Sequence, residues 1–219
     1  MASTLAVIVL LYGQRAEDNE DRIAEALLAQ TRWPDELWLL AETTKAHFII
    51  PRLICAERGY DGGGLIRVHE VHTPRDANGD YAVIPYSLKS NYVLDRTKAD
   101  YITYLTDDSW PAPEKYERMV AALDENPDWG AVFCSQDKGD GVRSASDIER
   151  DAFCRVDHTQ VMHRRTADRW PEEIADIMLG DAIFWRKLHA SLGPFYPVPG
   201  EPLDFVRQTP SGISAGNRS

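Results

Sequence analysis

Cysteine is scarce. Cys55, Cys134 and Cys154 are the only three in 219 residues. Their wide spacing matches neither a metal pattern nor a disulfide framework, which points to a reduced, cytoplasmic setting. Basic charge is short as well: 24 Lys and Arg against 35 Asp and Glu leave a net charge of −11. That excludes the broad basic footprint used to bind a nucleic-acid backbone, although a local basic groove remains compatible with it. No apolar run is long enough to span a membrane. The first, Leu5–Leu11, has no basic residue before it and reads as a buried strand rather than a signal peptide. There is no internal repeat, and no low-complexity segment before the tail.

Glycine is missing where one kind of nucleotide chemistry needs it. After the first strand the chain reads Tyr12-Gly-Gln-Arg-Ala-Glu-Asp-Asn19, with one glycine and two early acids. A sugar nucleotidyltransferase calls for a glycine-rich, basic loop there to cradle a triphosphate. What the chain does have is ordinary globular composition, 43% hydrophobic and 27% charged, at a length that suits one sizeable domain.

Strand and helix patterns alternate, which predicts an α/β fold with a doubly wound, mostly parallel sheet. Leu5–Leu11 is the central strand. Tyr12–Arg15 reads as a loop, and Asp18 or Asn19 as the cap of a helix that buries Ile23, Ala24, Leu27 and Leu28. A short strand covers Glu36–Leu40, with Glu42 just past its end. Ala46–Arg58 reads as a helix interrupted by Pro51, Tyr60–Gly64 as a flexible turn, and Leu65–Val71 as a third strand. A polar loop follows, then a helix over Pro85–Arg96 that carries Lys89 and Asn91. Beyond residue 109 we expect a helix around Tyr116–Leu123 and a buried strand at Ala131–Cys134. A mobile polar loop over Gln136–Arg150 and a strand near Ala152–Val156 come next. Trp170–Leu179 reads as a helical or irregular connection, and a helix opens at Gly180-Asp181. From Thr209 the chain is small, polar and expected to be disordered.

The chemistry gathers at Asp100–Pro113, D-Y-I-T-Y-L-T-D-D-S-W-P-A-P. A buried strand ends on two adjacent carboxylates, Asp107 and Asp108. Open α/β sheets bind ligands at that end of their strands. Neighbouring carboxylates repel unless a cation lies between them, and Mg²⁺ or Mn²⁺ holding a diphosphate would serve. The pair alone also fits a polar turn that ends a strand.

Several segments together resemble a family-2 inverting glycosyltransferase of the GT-A fold, closest to the spore-coat polysaccharide biosynthesis type. They are Leu11-Tyr12, Gln30-Thr31, Tyr101–Asp108, Asp157-His158 with Val161–Arg164, Gly180-Asp-Ala182 with Phe184-Trp-Arg186, and Pro194–Pro197. They run in family order over residues 5–200. The resemblance implies one GT-A domain over 1–208, with a nucleotide-binding half (1–108), an acceptor and catalytic half (109–208) and a flexible tail (209–219). It implies transfer of a sugar from a nucleoside-diphosphate sugar, of UDP or dTDP type, to an acceptor hydroxyl. Tyr12 would lie against the base. Glu42 stands where the family has an Asp that accepts from the base. Asp107 would lie near the ribose or diphosphate, and Asp108 would hold Mn²⁺ or Mg²⁺. Ser109 takes the third position of the family's acidic motif. Arg75 is the nearest candidate for the family's phosphate-binding Arg, and Asn91 lies on the donor side of its helix. Asp181 matches the catalytic base, and a helix N-terminus would favour its charge.

His158 reads as orienting the acceptor or a loop, and His163 as structural or supporting the acceptor side from behind. Arg164 could reach a diphosphate or stand as a solvated charge. A non-catalytic nucleotide-sugar-binding module is the remaining alternative. The acceptor stays open among a glycan, a lipid-linked sugar, a protein hydroxyl and a modified base.

Overall fold

Every side chain from Leu5 to Leu11 is completely buried. A strand with both faces buried must have neighbours on both edges and helices on both faces. In the computed structural model, which describes residues 2–42, 49–58, 66–143, 145 and 156–206, that is its place. Strand β1 (Leu5–Leu10) pairs in parallel with β2 (Glu36–Ala41) on one side and β4 (Tyr101–Thr106) on the other. Beyond β2, the half-exposed β3 (Ile66–Glu70) forms the sheet edge. Beyond β4 the direction reverses. Strand β9 (Val161–Arg164) is antiparallel to both β4 and β6 (Ala131–Phe133), and β10 (Phe195–Pro197) closes the far edge parallel to β6. The seven strands lie in the order β10-β6-β9-β4-β1-β2-β3, which makes the expected mostly parallel α/β sheet flanked by helices.

Period-two alternation along β1 sorts the core into two layers. Leu5, Val7 and Val9 face α1 (Gly13–Leu28), α2 (Ile49–Arg58) and α4 (Lys115–Glu125) through Ile23, Leu27, Ile54, Met119 and Leu123. Ala6, Ile8 and Leu10 face α3 (Pro85–Leu94) and α5 (Gly180–Leu192) through Val93, Phe184, Trp185 and Leu188. Each such buried aliphatic contributes about 1.5–3 kcal/mol over exposure.

Two expectations need correction. The first helix begins at Gly13, with Tyr12 as its N-cap, so Asp18 and Asn19 lie inside it. No local side chain caps it; the backbone N–H of Tyr12 donates to Asp107 Oδ2 at 2.7 Å, from 95 residues away. Gln136–Arg143 is not an irregular loop. It forms β7 (Gln136–Asp137) and β8 (Val142–Arg143), which join β11 (Asp204–Val206) and β5 (Ser109–Pro111) in a second sheet ordered β5-β11-β7-β8. Strands β5, β9, β10 and β11 were not anticipated. The Tyr60–Gly64 turn, most of the Ala152–Val156 strand, Cys154 and the 209–219 tail lie outside the described residues.

Candidate active site

The parallel register brings the ends of β1, β2 and β4 to one edge, because Leu10 lies opposite both Leu40 and Thr106. Tyr12, Glu42 and Asp107 therefore emerge side by side. Asp107 is 1% exposed and turned inward, where its carboxylate meets the first backbone N–H of α1. Negative charge is favoured at a helix N-terminus. Asp108 is half-buried.

Glu42 is held on several sides. Its Oε1 accepts from the Thr73 hydroxyl, and its Oε2 accepts from the Thr73 backbone N–H at 3.2 Å. Lys89 Nζ stands 3.4 Å from Glu42 Oε1, 3.4 Å from the Leu11 carbonyl oxygen and 4.1 Å from the centre of the Tyr12 ring. Lys89 has no exposed surface. Burial pushes its pKa below the usual lysine value, while Glu42 and the charge of Asp107 oppose that shift. Sequence reasoning assigned this lysine no role. The available signal was that Lys89 is the sole charge between Pro85 and Leu94, in a helix whose Ser87, Ser90 and Asn91 are also buried.

Asp181 enters from the other half of the chain, in the first turn of α5. Gly180 permits this approach: a Cβ there would run into the Tyr86 hydroxyl of α3. Asp181 Oδ2 accepts from the His158 backbone N–H at 3.2 Å and stands 3.6 Å from His158 Nδ1. Tyr86 stacks on the His158 ring at 5.7 Å with the planes 6° apart. Burial alone would favour neutral His158. The hydrogen bond and charge of Asp181, with the charges of Asp157 and Asp108, outweigh it and hold the imidazole above its ordinary pKa. His158 Nε2 is buried without a hydrogen-bond partner among the described residues.

Four candidates stand apart from this edge. His163 lies mid-sheet, opposite Ile102. It belongs to a chain in which Trp170 Nε1–H donates to Tyr104 Oη at 3.2 Å, Tyr104 O–H to His163 Nε2 at 2.8 Å, and His163 Nδ1–H to the Arg164 carbonyl at 2.7 Å. This satisfies every group with a neutral imidazole, and burial lowers the His163 pKa to about 4. Arg164 is at the opposite end of β4, because β9 runs antiparallel to it. Its guanidinium donates to the Trp129, Leu123 and Asn126 carbonyls at 2.8, 2.8 and 3.2 Å. It thus caps the C-terminal end of α4, where a cation suits the helix dipole. Asn91 clamps the 170–172 segment: its Oδ1 accepts from Trp170 N at 2.8 Å and its Nδ2 donates to Trp170 O at 3.1 Å and Glu172 Oε1 at 2.7 Å. Arg75 is exposed in its loop, donating to the Gly79 carbonyl at 2.8 Å with its guanidinium 4.2 Å from the Tyr81 ring centre.

A hard divalent ion of the Mg²⁺ or Mn²⁺ type needs only one or two carboxylates when phosphates and water complete its shell. Among the described residues, no group of three His, Cys, Asp or Glu could hold a metal by itself. The half-buried carboxylate of Asp108, beside the buried one of Asp107, fits an ion that arrives with a diphosphate.

Residues 89–193 match the model of Glycosyl transferase family 2. The chain is 32% identical over 152 residues to Protein CgeD of Bacillus subtilis (strain 168), across 61% of this chain and 35% of that protein. It thus spans about a third of that relative's length. TarS residues 1–349 of S. aureus, solved in complex with UDP-GlcNAc, superimposes with a TM-score of 0.67 at 13% identity, over 97% of this chain and 60% of that one. The mannosyltransferase PcManGT of Pyrobaculum calidifontis, in complex with GDP-Man and Mn²⁺, gives 0.60 at 16% identity, over 95% and 57%. The carboxylate-bearing strand ends, the ordered motifs and these matches agree: residues 89–193 carry a family-2 glycosyltransferase segment, and the chain has the GT-A fold.

Proposed function

We propose that the chain moves a sugar from a nucleoside-diphosphate sugar of UDP or dTDP type to an acceptor hydroxyl, with inversion at the anomeric carbon. One observation carries this reading. The ends of β1, β2 and β4 share one edge that carries Tyr12, Glu42 and the Asp107–Asp108 pair, while Asp181 of α5 accepts from the His158 backbone N–H at 3.2 Å. Carboxylates from two distant parts of the chain thus have separate settings, with room for different roles.

On the donor side, Tyr12 lies against the base, Glu42 accepts from its edge, and Asp107 lies behind the ribose or diphosphate, anchoring the Tyr12 backbone. Asp108 holds Mn²⁺ or Mg²⁺, whose chemistry when bound is to offset negative charge on the departing diphosphate. The complexes of TarS with UDP-GlcNAc and of PcManGT with GDP-Man and Mn²⁺ support a nucleotide-sugar donor and a divalent ion. On the acceptor side, Asp181 takes the proton of the attacking hydroxyl as general base. His158 orients Asp181 through its backbone N–H. Acceptor oxygen bonds to the anomeric carbon as the bond to the diphosphate oxygen breaks, and the proton ends on Asp181. His163, Arg164 and Asn91 support the scaffold from behind.

Asp181→Asn keeps the shape and removes the base. Transfer should fall by about 10²–10⁴-fold, measured as release of nucleoside diphosphate across an acceptor panel, with donor affinity by calorimetry unchanged. Full transfer by Asp181→Asn would sink the assignment of the base. A folded wild-type chain that binds donor and turns over no acceptor would favour the binding-module reading.

A further inference from the structure

We infer that Tyr86 is a positioning residue for the transfer step: packed against Gly180, it sets where the first turn of α5, and with it Asp181, stands. This rests on the assignment of Asp181 as base above and deepens it.

Helix α5 begins at Gly180, and no side chain caps it. The connection that leads into it holds only one short 3₁₀ turn, Ile174–Asp176. Helix α3 and the residue before it tie that connection down at successive points. Ile84 N donates to the Glu172 carbonyl at 2.9 Å. Asn91 holds Trp170 and Glu172. The Tyr86 hydroxyl donates to the Ile177 carbonyl at 3.2 Å, across 91 residues of chain. This last tie is the nearest to the base. Tyr86 also meets Gly180 itself. A Cβ there would overlap the phenol oxygen, whereas the ring carbon Cζ would lie 3.2 Å away. The ring cannot swing clear without breaking its other contacts, the stack on His158 at 5.7 Å and the edge-on packing with Trp170 at 5.7 Å. Burial, with the charges of Asp181 and Asp176, pushes the Tyr86 pKa up, so the hydroxyl keeps its proton and stays a donor. His158 in turn gives Asp181 its backbone N–H. One ring thus bears on the base from two sides, through Gly180 and through His158. A general base works only when aimed at the attacking hydroxyl, and a misplacement of about 1 Å can cost about 10²-fold in rate.

The test is a double-mutant cycle of Tyr86→Phe and Gly180→Ala in the full chain. It is read as nucleoside-diphosphate release from UDP-GlcNAc and dTDP-glucose across the acceptor panel, water included. Affinity for UDP and dTDP with Mn²⁺ is followed by calorimetry, and each variant is shown folded by its thermal transition. Gly180→Ala forces the overlap and should lower kcat by about 10²-fold. Tyr86→Phe loses one hydrogen bond and should lower it by about three- to tenfold. The double variant has no phenol oxygen to overlap, so it should turn over at least about tenfold faster than Gly180→Ala alone. Nucleotide affinity should stay at the wild-type value throughout, a split that a merely structural role would not produce. Should Gly180→Ala fail to fold, Tyr86→Leu carries the test: it removes the stack as well as the hydroxyl and should cost at least about 30-fold in kcat. Wild-type kcat in folded Gly180→Ala or Tyr86→Leu, or a double variant no faster than Gly180→Ala, would overturn the role of Tyr86 and leave Asp181 as the base. A wild type that releases nucleotide from neither donor would overturn both.

Discussion

At the scale of single residues, this chain uses its two inner histidines in opposite ways. His163 is fully buried, accepts from Tyr104, donates to a carbonyl, and is held near pKa 4 by burial. Its unfolded form titrates near 6.5. Between those values the unfolded chain binds the additional proton, so stability rises with pH across the window and is lost as pH falls from 6.5 toward 4. Two to three pH units correspond to about 3 kcal/mol. Thermal unfolding of wild type against His163→Gln, followed from pH 4 to 6.5, should show the slope flatten in the variant. Equal slopes would mean that His163 does not titrate in this way. His158 has the reverse sign: its raised pKa contributes stability that is full below 6.5 and lost as pH rises through the folded value. In the sequence His158 already pointed toward the acceptor or a loop and His163 toward a structural role, but the partners that fix their charge states were not visible there. Their fates depend on β9 running antiparallel to β4, which leaves His158 at the carboxylate edge and His163 mid-sheet.

At the scale of elements, charge is buried where two substructures join. Lys115 and Asp204, both fully buried, pair at 2.7 Å. Lys115 also donates to the Thr159 carbonyl at 2.6 Å, while Asp204 Oδ2 accepts from Gln136 Nε2 at 2.8 Å and Thr159 Oγ1 at 2.7 Å. The cluster ties α4, β7 and β11 to the turn that carries His158. Removing one partner strands the other charge, so Lys115→Met should lower stability by about 3–5 kcal/mol. Chemical denaturation checks this, and a loss under about 1 kcal/mol would contradict it. None of this was readable in advance, because the partners are up to 89 residues apart and β11 is three residues long. The strands that were legible, β1, β2, β3, β4 and β6, declared themselves by apolar runs or by alternation. Helix α1 was misread at its start because its cap, Asp107, is supplied by another strand. No local pattern encodes that bond. It also gives Asp107 a fold role that sequence reasoning had not considered.

At the scale of the molecule, a parallel register converts three distant sequence positions into one edge. Asp107 was legible because ligand sites in open α/β sheets lie at strand carboxyl ends, whereas Tyr12 and Glu42 were reached through the resemblance. Asp181 was legible only through the resemblance, since a first-turn helix Asp is common. Lys89 was invisible to both routes, because its meaning lies in a buried contact between α3 and the ends of β1 and β2.

The central claim is that this edge binds a nucleoside diphosphate through Asp108 and a divalent ion. Calorimetric titration of UDP, dTDP and GDP, each with and without Mn²⁺, into the wild type and Asp108→Ala tests it most directly. The account predicts Mn²⁺-dependent binding of at least one of the three, and loss of that binding in a folded Asp108→Ala. A folded wild type that binds none of them, or binds as well without the metal and without the Asp108 carboxylate, would contradict it.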